Sequence, residues 1–241
     1  MKKKGFLLLV ILQFVFCKID LLSQDTVSKF ISDDFLLSPE SFKPFDFKYS
    51  IGLNLTILPL EIVEEEIRQS PMLDFQARYG LPFGFSIKAQ LATNYLTYLG
   101  ALSVLYSLDI GQFGLGFQDK QTYWRGFSSI IGFDVLADGW MNFPSLSLGF
   151  RTSNVRLSLL ADLQFLTYQR TIVGETLAKS SRNQLNGFGI GATIEQPFWK
   201  NTDVVLGMKI NYQKSSYQSW LAFTTFEKFF AYPEFTFAFI F

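Results

Sequence analysis

The chain has 241 residues, 49% of them apolar and 17% aromatic, with 21 basic residues balanced by 21 acidic ones, one cysteine and no histidine. A zero net charge argues against a nucleic-acid partner and against attachment to a membrane surface by charge alone. After Phe16 no run of about 18 apolar residues occurs, so helical membrane spans are excluded and the apolar content must be spread in another pattern.

The chain opens with Met1-Lys2-Lys3-Lys4 and a continuous apolar stretch from Gly5 to Phe16. A basic start followed by about a dozen apolar residues fits a secretory signal and is too short to span a bilayer. Residues 1–23 are therefore expected to be removed, with cleavage after Cys17 or near Ser23-Gln24. Phe14-Val15-Phe16 lacks the small residues that precede a lipidated cysteine, so Cys17 reads as an apolar residue of the discarded peptide. The mature chain would then have no disulfide or thiol chemistry. Residues 24–46 are mixed and polar, broken by Ser38-Pro39 and Lys43-Pro44. They read as a lead-in with one short helix around Val27 to Leu36 and no spanning element.

From Phe47 onward, alternation sorts residues onto two faces by parity. Tyr49, Ile51, Leu53, Leu55 and Ile57 oppose Lys48, Ser50, Gly52, Asn54 and Thr56, an apolar-out and polar-in membrane strand. Leu73 to Gly80 repeats it, Leu81-Pro82-Phe83-Gly84 turns the chain, and Phe85 to Ala92 returns. Further strands are read at 98–110, 113–118, 127–135, 146–151, 155–165, 187–196 and 203–213. With the last segment, this makes eleven strands. A soluble sandwich could alternate too, but it would rarely carry so many phenylalanines with so few proline or charge gatekeepers.

The final strand, Glu234-Phe235-Thr236-Phe237-Ala238-Phe239-Ile240-Phe241, places four phenylalanines on one face. Left as an exposed edge in water it would invite aggregation, so it needs a lipid face and a closing partner. It resembles the C-terminal signature of bacterial outer-membrane β-barrel proteins, in which a strand ending in Phe is read by the barrel assembly machinery. The resemblance implies Phe235, Phe237, Phe239 and Phe241 as the assembly signal, a periplasmic lead-in at 24–46, and an outer-membrane location. The expected fold is all-β: a transmembrane, antiparallel, up-and-down barrel over residues 47–241. Such barrels normally have an even strand count. Twelve is favoured, with a hidden strand in Tyr168 to Lys179 or Tyr217 to Phe226; ten, reached by merging two of the eleven, is the runner-up.

Long polar connections at Glu61–Pro71, Asp119–Gly126, Gly174–Asn186 and Lys214–Trp220 read as outer loops, and Leu81–Gly84 and Lys200–Asp203 as periplasmic turns. Trp124, Trp140, Trp199 and Trp220 fall near strand ends, where an interfacial girdle would place them. The glycines of Gly114-Leu115-Gly116 and Gly187 to Gly191 alternate with apolar residues instead of leading into a helix. They make inward room and bind no phosphate.

The absence of histidine weighs against catalysis, since general-base work near neutral pH usually falls to it. Outer-membrane barrels that are enzymes resemble one another in depending on a His base, so the chain reads as no enzyme. Zinc, copper and haem lose their usual ligands as well, and Glu64-Glu65-Glu66 lacks the ligand spacing of a calcium loop, so no cofactor is expected. What the chain offers instead is inward charge: Lys48, Asp74, Arg78, Lys88, Asp109, Asp134, Arg151, Arg156, Asp162, Glu195 and Lys209 all fall on the expected lumen face. Buried charges must pair or meet water. In a barrel of about 8 to 10 strands they would interlock as a plug, and in one of about 12 or more some could line a weakly selective channel for small solutes. The reading favoured on sequence is a passive channel or transport component, in which Arg78-Tyr79-Gly80-Leu81 is similar to segments of uncharacterised outer-membrane transport families. The alternative is a non-conducting structural or surface-interaction barrel. Expected partners are outer-membrane lipid and the assembly machinery.

Overall fold

A computed structural model describes residues 35–62, 68–130, 133–152, 154–199, 202–222 and 228–241. Ten strands follow in order: β1 (Phe47–Ile57), β2 (Gln69–Gly80), β3 (Phe85–Thr93), β4 (Thr97–Ile110), β5 (Phe113–Ile130), β6 (Phe133–Arg151), β7 (Arg156–Val173), β8 (Thr176–Trp199), β9 (Thr202–Gln213) and β10 (Phe230–Ile240). Each is antiparallel to the next, and β1 pairs with both β2 and β10, so the sheet is a closed up-and-down barrel, past which the start of β8 (Thr176 to Leu185) pairs with β7 and not with β9. Closure pairs the strands on both sides through the part that all ten share, which is what a bilayer core demands. The chain enters β1 and leaves β10 at the same end, called here the terminal end.

The barrel closes at ten strands, the lower of the two expected counts. The segments 113–118, 127–135 and 146–151 are parts of two long strands, β5 and β6, which pair antiparallel with Ile130 opposite Phe133. The stretch Asp119–Gly126, read as a loop because it is polar, lies inside β5. Gly174–Asn186 is likewise mostly strand: Gly174 takes the left-handed conformation (φ 59°) in a two-residue turn, and β8 begins at Thr176. No extra strand forms in Tyr168–Lys179, which spans the β7–β8 hairpin. In Tyr217–Phe226 the described residues 217–222 form a 3-10 segment. Lys214–Trp220 does lie in a connection, and Leu81–Gly84 is a turn with a 3-10 step at Pro82–Gly84. The Glu64–Glu66 run, residues 1–23 and most of the expected Val27–Leu36 helix lie outside the described residues.

Outward positions form an apolar band. Ile51, Leu53, Leu73, Phe75, Leu91, Leu102, Val104, Phe117, Leu146, Leu159, Ile190, Met208 and Phe237 are all classed as exposed, as expected for side chains meeting lipid and not water. Spanning a bilayer takes about 9 to 11 tilted residues. β1, β3 and β10 are near that length, whereas β5 to β8 have 18, 19, 18 and 24 residues and rise past it at the far end. From Thr176 to Leu185 every residue of β8 is exposed or half-buried, consistent with water on both faces.

Candidate functional site

The functional question is what fills the lumen, and three layers do so. At the terminal mouth, residues 35–42 do not hang outside as a lead-in but fold into the opening. Phe35, Leu36, Ser38, Glu40 and Phe42 are buried there, and Leu36 packs on Val205, Ala238 and Ile240. An irregular segment entering a barrel carries backbone groups with no strand partner, and these must be satisfied. Arg78 and Glu195 do this. The Arg78 guanidinium, fully buried, donates to the carbonyls of Leu36 (3.4 Å), Ser38 (2.7 Å) and Glu40 (2.8 Å), and its Nε donates to Ser86 Oγ at 3.1 Å. The Glu195 carboxylate accepts from the amides of Leu36 (2.9 Å), Leu37 (2.7 Å) and Ser38 (2.6 Å).

The rest of the mouth completes this grip. Glu40 forms ion pairs with Arg151 (3.3 Å) and Arg156 (3.5 Å), and Asp109 accepts from the Ser41 amide at 3.0 Å. Phe35 and Phe42 lie against the Arg78 guanidinium, 5.3 and 4.8 Å from its centre, and Arg156 lies 4.5 Å from Phe35. Gly114, Gly116 and Gly149 make the room, because a Cβ at any of them would press on Pro39 or Glu40.

Above this mouth is a polar layer. Asp74 accepts from Gln76 (2.5 Å) and Gln90 (2.7 Å), Asp162 pairs with Lys209 at 2.6 Å, and Gln164 donates to Asn211 at 2.8 Å. Lys48, Arg78 and Lys88 are successive cross-strand partners, a row of three cations that only the register reveals. Lys120, placed by sequence in a loop, faces inward from β5 and sits 4.8 Å from the Phe143 ring.

The far half of the lumen holds an apolar cluster with polar residues around it. Met72, Leu99, Trp124, Val135, Met141, Phe143, Leu166 and Trp220 form one buried cluster. Trp220 arrives from the β9–β10 connection: its Nε1 donates to Thr97 Oγ1 (2.9 Å), Gln218 donates to Thr56 (2.6 Å), and Asn186 ties the base of the loop through Ser215 O (2.8 Å). Desolvation, followed by the carboxylates of Glu234 and Asp74, holds the neighbouring Tyr217 phenol well above its ordinary pKa, so it stays a neutral group. Gly126 leaves the space that the Trp220 indole occupies. Trp220→Ala is expected to destabilise the barrel by about 3–5 kcal/mol, the usual cost of a deleted buried aromatic. The check is the temperature at which the heat-modifiable gel band shifts.

The expected lumen charges therefore divide. Arg78, Asp109, Arg151, Arg156 and Glu195 hold the inserted segment, Asp74, Asp162 and Lys209 sit in the polar layer, and Lys48 and Lys88 face inward in the cation row. Asp134 is a correction: it is exposed, and Val135 beside it is buried in the lumen. The β5–β6 register pairs Ser129 with Asp134 and Ser128 with Val135, so parity flips from one strand to the next. Reading one strand through 127–135 carried the wrong face across it. Trp124 and Trp220 are corrected likewise, being 1% and 5% exposed inside the barrel, while Trp140 and Trp199 are on the outside. Phe235, Phe237 and Phe239 alternate with the buried Ala238 and Ile240 on the outward face of β10, and Phe241, the residue after it, stacks on Tyr49 at 5.4 Å across the closing seam. Sequence reasoning missed Glu40 and Glu234; the alternation placing Glu234 with Thr236 was a signal for the second, and nothing in the local pattern signalled the first.

No family model and no curated protein matches the chain. Among solved structures it is similar to Neisserial surface protein A (14% identity, 80% of this chain and 95% of that one, TM-score 0.40). It is also similar to the attachment invasion locus protein Ail of Yersinia pestis (11%, 83% and 100%, TM-score 0.40). The Escherichia coli outer-membrane protease OmpT is a third (12%, 83% and 97%, TM-score 0.41). The chain spans about a third of another, CdiB from Acinetobacter baumannii (13% identity, 70% of this chain and 32% of that one, TM-score 0.34). Likenesses of this size assign no activity, and the conclusion rests on the chain's own strands: it is a ten-stranded, antiparallel, closed β-barrel with an apolar outer wall.

Proposed function

We propose that this chain is an outer-membrane barrel that does not conduct in the state described, and that it works through the raised wall of β5 to β8 at the far end. The observation that carries the closed reading is the terminal mouth, where Arg78 and Glu195 hold the backbone of residues 36–40. The signal-like start, the outward apolar band and the aromatic last strand support the outer membrane as the location. The passive-channel reading needs inward charges that meet water along a path, yet five of them are occupied by the inserted segment. The far half is closed by the Trp220 cluster. We propose no catalytic role, since the chain holds no histidine.

The test is conductance of refolded protein in planar bilayers. The wild type is expected to show no stepwise current, and Arg78→Ala alone is expected to show none either, because the Trp220 cluster still blocks the far half. Steady channels from the wild type would restore the passive-channel reading. Channels from Arg78→Ala alone would make residues 35–42 the gate of a transport component.

A further inference from the structure

A second feature lies on the outside of the wall. The outward row of β4 runs Tyr98, Gly100, Leu102, and the missing side chain at Gly100 leaves a groove of about 780 Å³. Phe75 and Leu91 flank it on one side, and Tyr123, Arg125 and Phe127, successive residues of the outward row of β5, on the other. Arg125 pairs in register with Tyr98, one residue from the far end of β4, and with Asp138. The Asp138 carboxylate is already taken by Arg170 (2.5 Å) and by the Tyr168 hydroxyl (3.2 Å). Arg125 is exposed and makes no hydrogen bond or ion pair to any described residue.

An apolar trough on a lipid-facing wall accepts a hydrocarbon chain. A guanidinium in its lining, beside the Tyr98–Phe127 stack (5.9 Å) where an aromatic girdle marks the interface, is matched by a headgroup phosphate. We propose that this groove is a binding site for a phosphate-bearing membrane lipid, with one acyl chain lying over Gly100 and the headgroup phosphate of the same molecule on Arg125. The site rests on the outer-membrane reading and extends it from a general lipid contact to a defined one.

The test uses native mass spectrometry of the refolded protein in detergent, with phosphatidylglycerol and a chain-matched diacylglycerol as probes. The wild type is expected to retain the phosphatidylglycerol about tenfold more, the order of one charge-assisted pair. Arg125→Gln should bring it down to the diacylglycerol level. Gly100→Leu should displace both probes, and it is tolerable because a Cβ there meets only Leu91 Cδ2 at 3.8 Å. Inorganic phosphate should not compete, since it lacks the chain. Equal retention of the two probes by the wild type, or unchanged retention in Gly100→Leu with normal heat-modifiable mobility, would overturn the site. Recovery of the protein as a soluble species without detergent would instead overturn the membrane reading beneath it.

Discussion

Replacing Arg78 by alanine is expected to release residues 35–42 from the terminal mouth while leaving the barrel closed. Three backbone carbonyls lose their donor, and Glu195 and Glu40 lose a buried counter-charge across the mouth. Breaking one side of such a buried arrangement costs about 3–5 kcal/mol. Most of that cost falls on the inserted segment, because the strand ladder does not depend on this side chain. A cysteine at Ser38, a position that is fully buried, reports it in a Cys17→Ser background. Labelling by a bulky maleimide should be slow with Arg78 present and at least about tenfold faster without it, the factor corresponding to only about 1.4 kcal/mol of opening. Arg78→Lys should fall between, since an ammonium cannot reproduce the planar fork that reaches three carbonyls. Equal labelling rates in wild type and Arg78→Ala would show that something other than this guanidinium holds the segment.

Deleting Phe241, or changing it to Ser, is expected to lower the amount of protein reaching the outer membrane severalfold and to expose the precursor to proteases, with export unaffected. Phe241 exchanges backbone hydrogen bonds with Tyr49 (2.9 and 3.3 Å) and stacks on its ring, so it makes the last rung of the β1–β10 seam. An unfinished seam leaves strand edges with unsatisfied groups, which a bilayer interior does not tolerate. Phe117→Ser is the matched control: it removes a comparably exposed lipid-facing phenylalanine from β5, far from the seam in strand order. It should assemble nearly normally. Wild-type amounts of the Phe241 variant with normal heat-modifiable mobility would remove the assembly role, and equal loss of both variants would indicate general fragility instead.

Alternation from Phe47 onward determined, without any coordinates, that the chain is a membrane barrel of antiparallel strands, because a period of two with apolar residues on one face has few other physical solutions. The same parity placed Arg78, Asp74, Asp162 and Glu195 on the inner face, since within one uninterrupted strand the side of a residue is fixed by counting. Counting fails where the chain turns. The change of strand between Ile130 and Phe133 put Asp134 on the outside and hid the join between β5 and β6, and the polar outward residues Asp119, Gln121 and Arg125 disguised the middle of β5 as a loop. Only the closed structure decided what those inner charges are for. Residues 35–42 have no periodicity of their own, and nothing local in Leu36-Leu37-Ser38-Pro39-Glu40 announces a destination. Their place is set by Arg78, 38 to 42 positions away, and by Glu195, 157 to 159 positions away. Those two side chains are brought to the segment by the closed ten-stranded barrel and not by any local pattern.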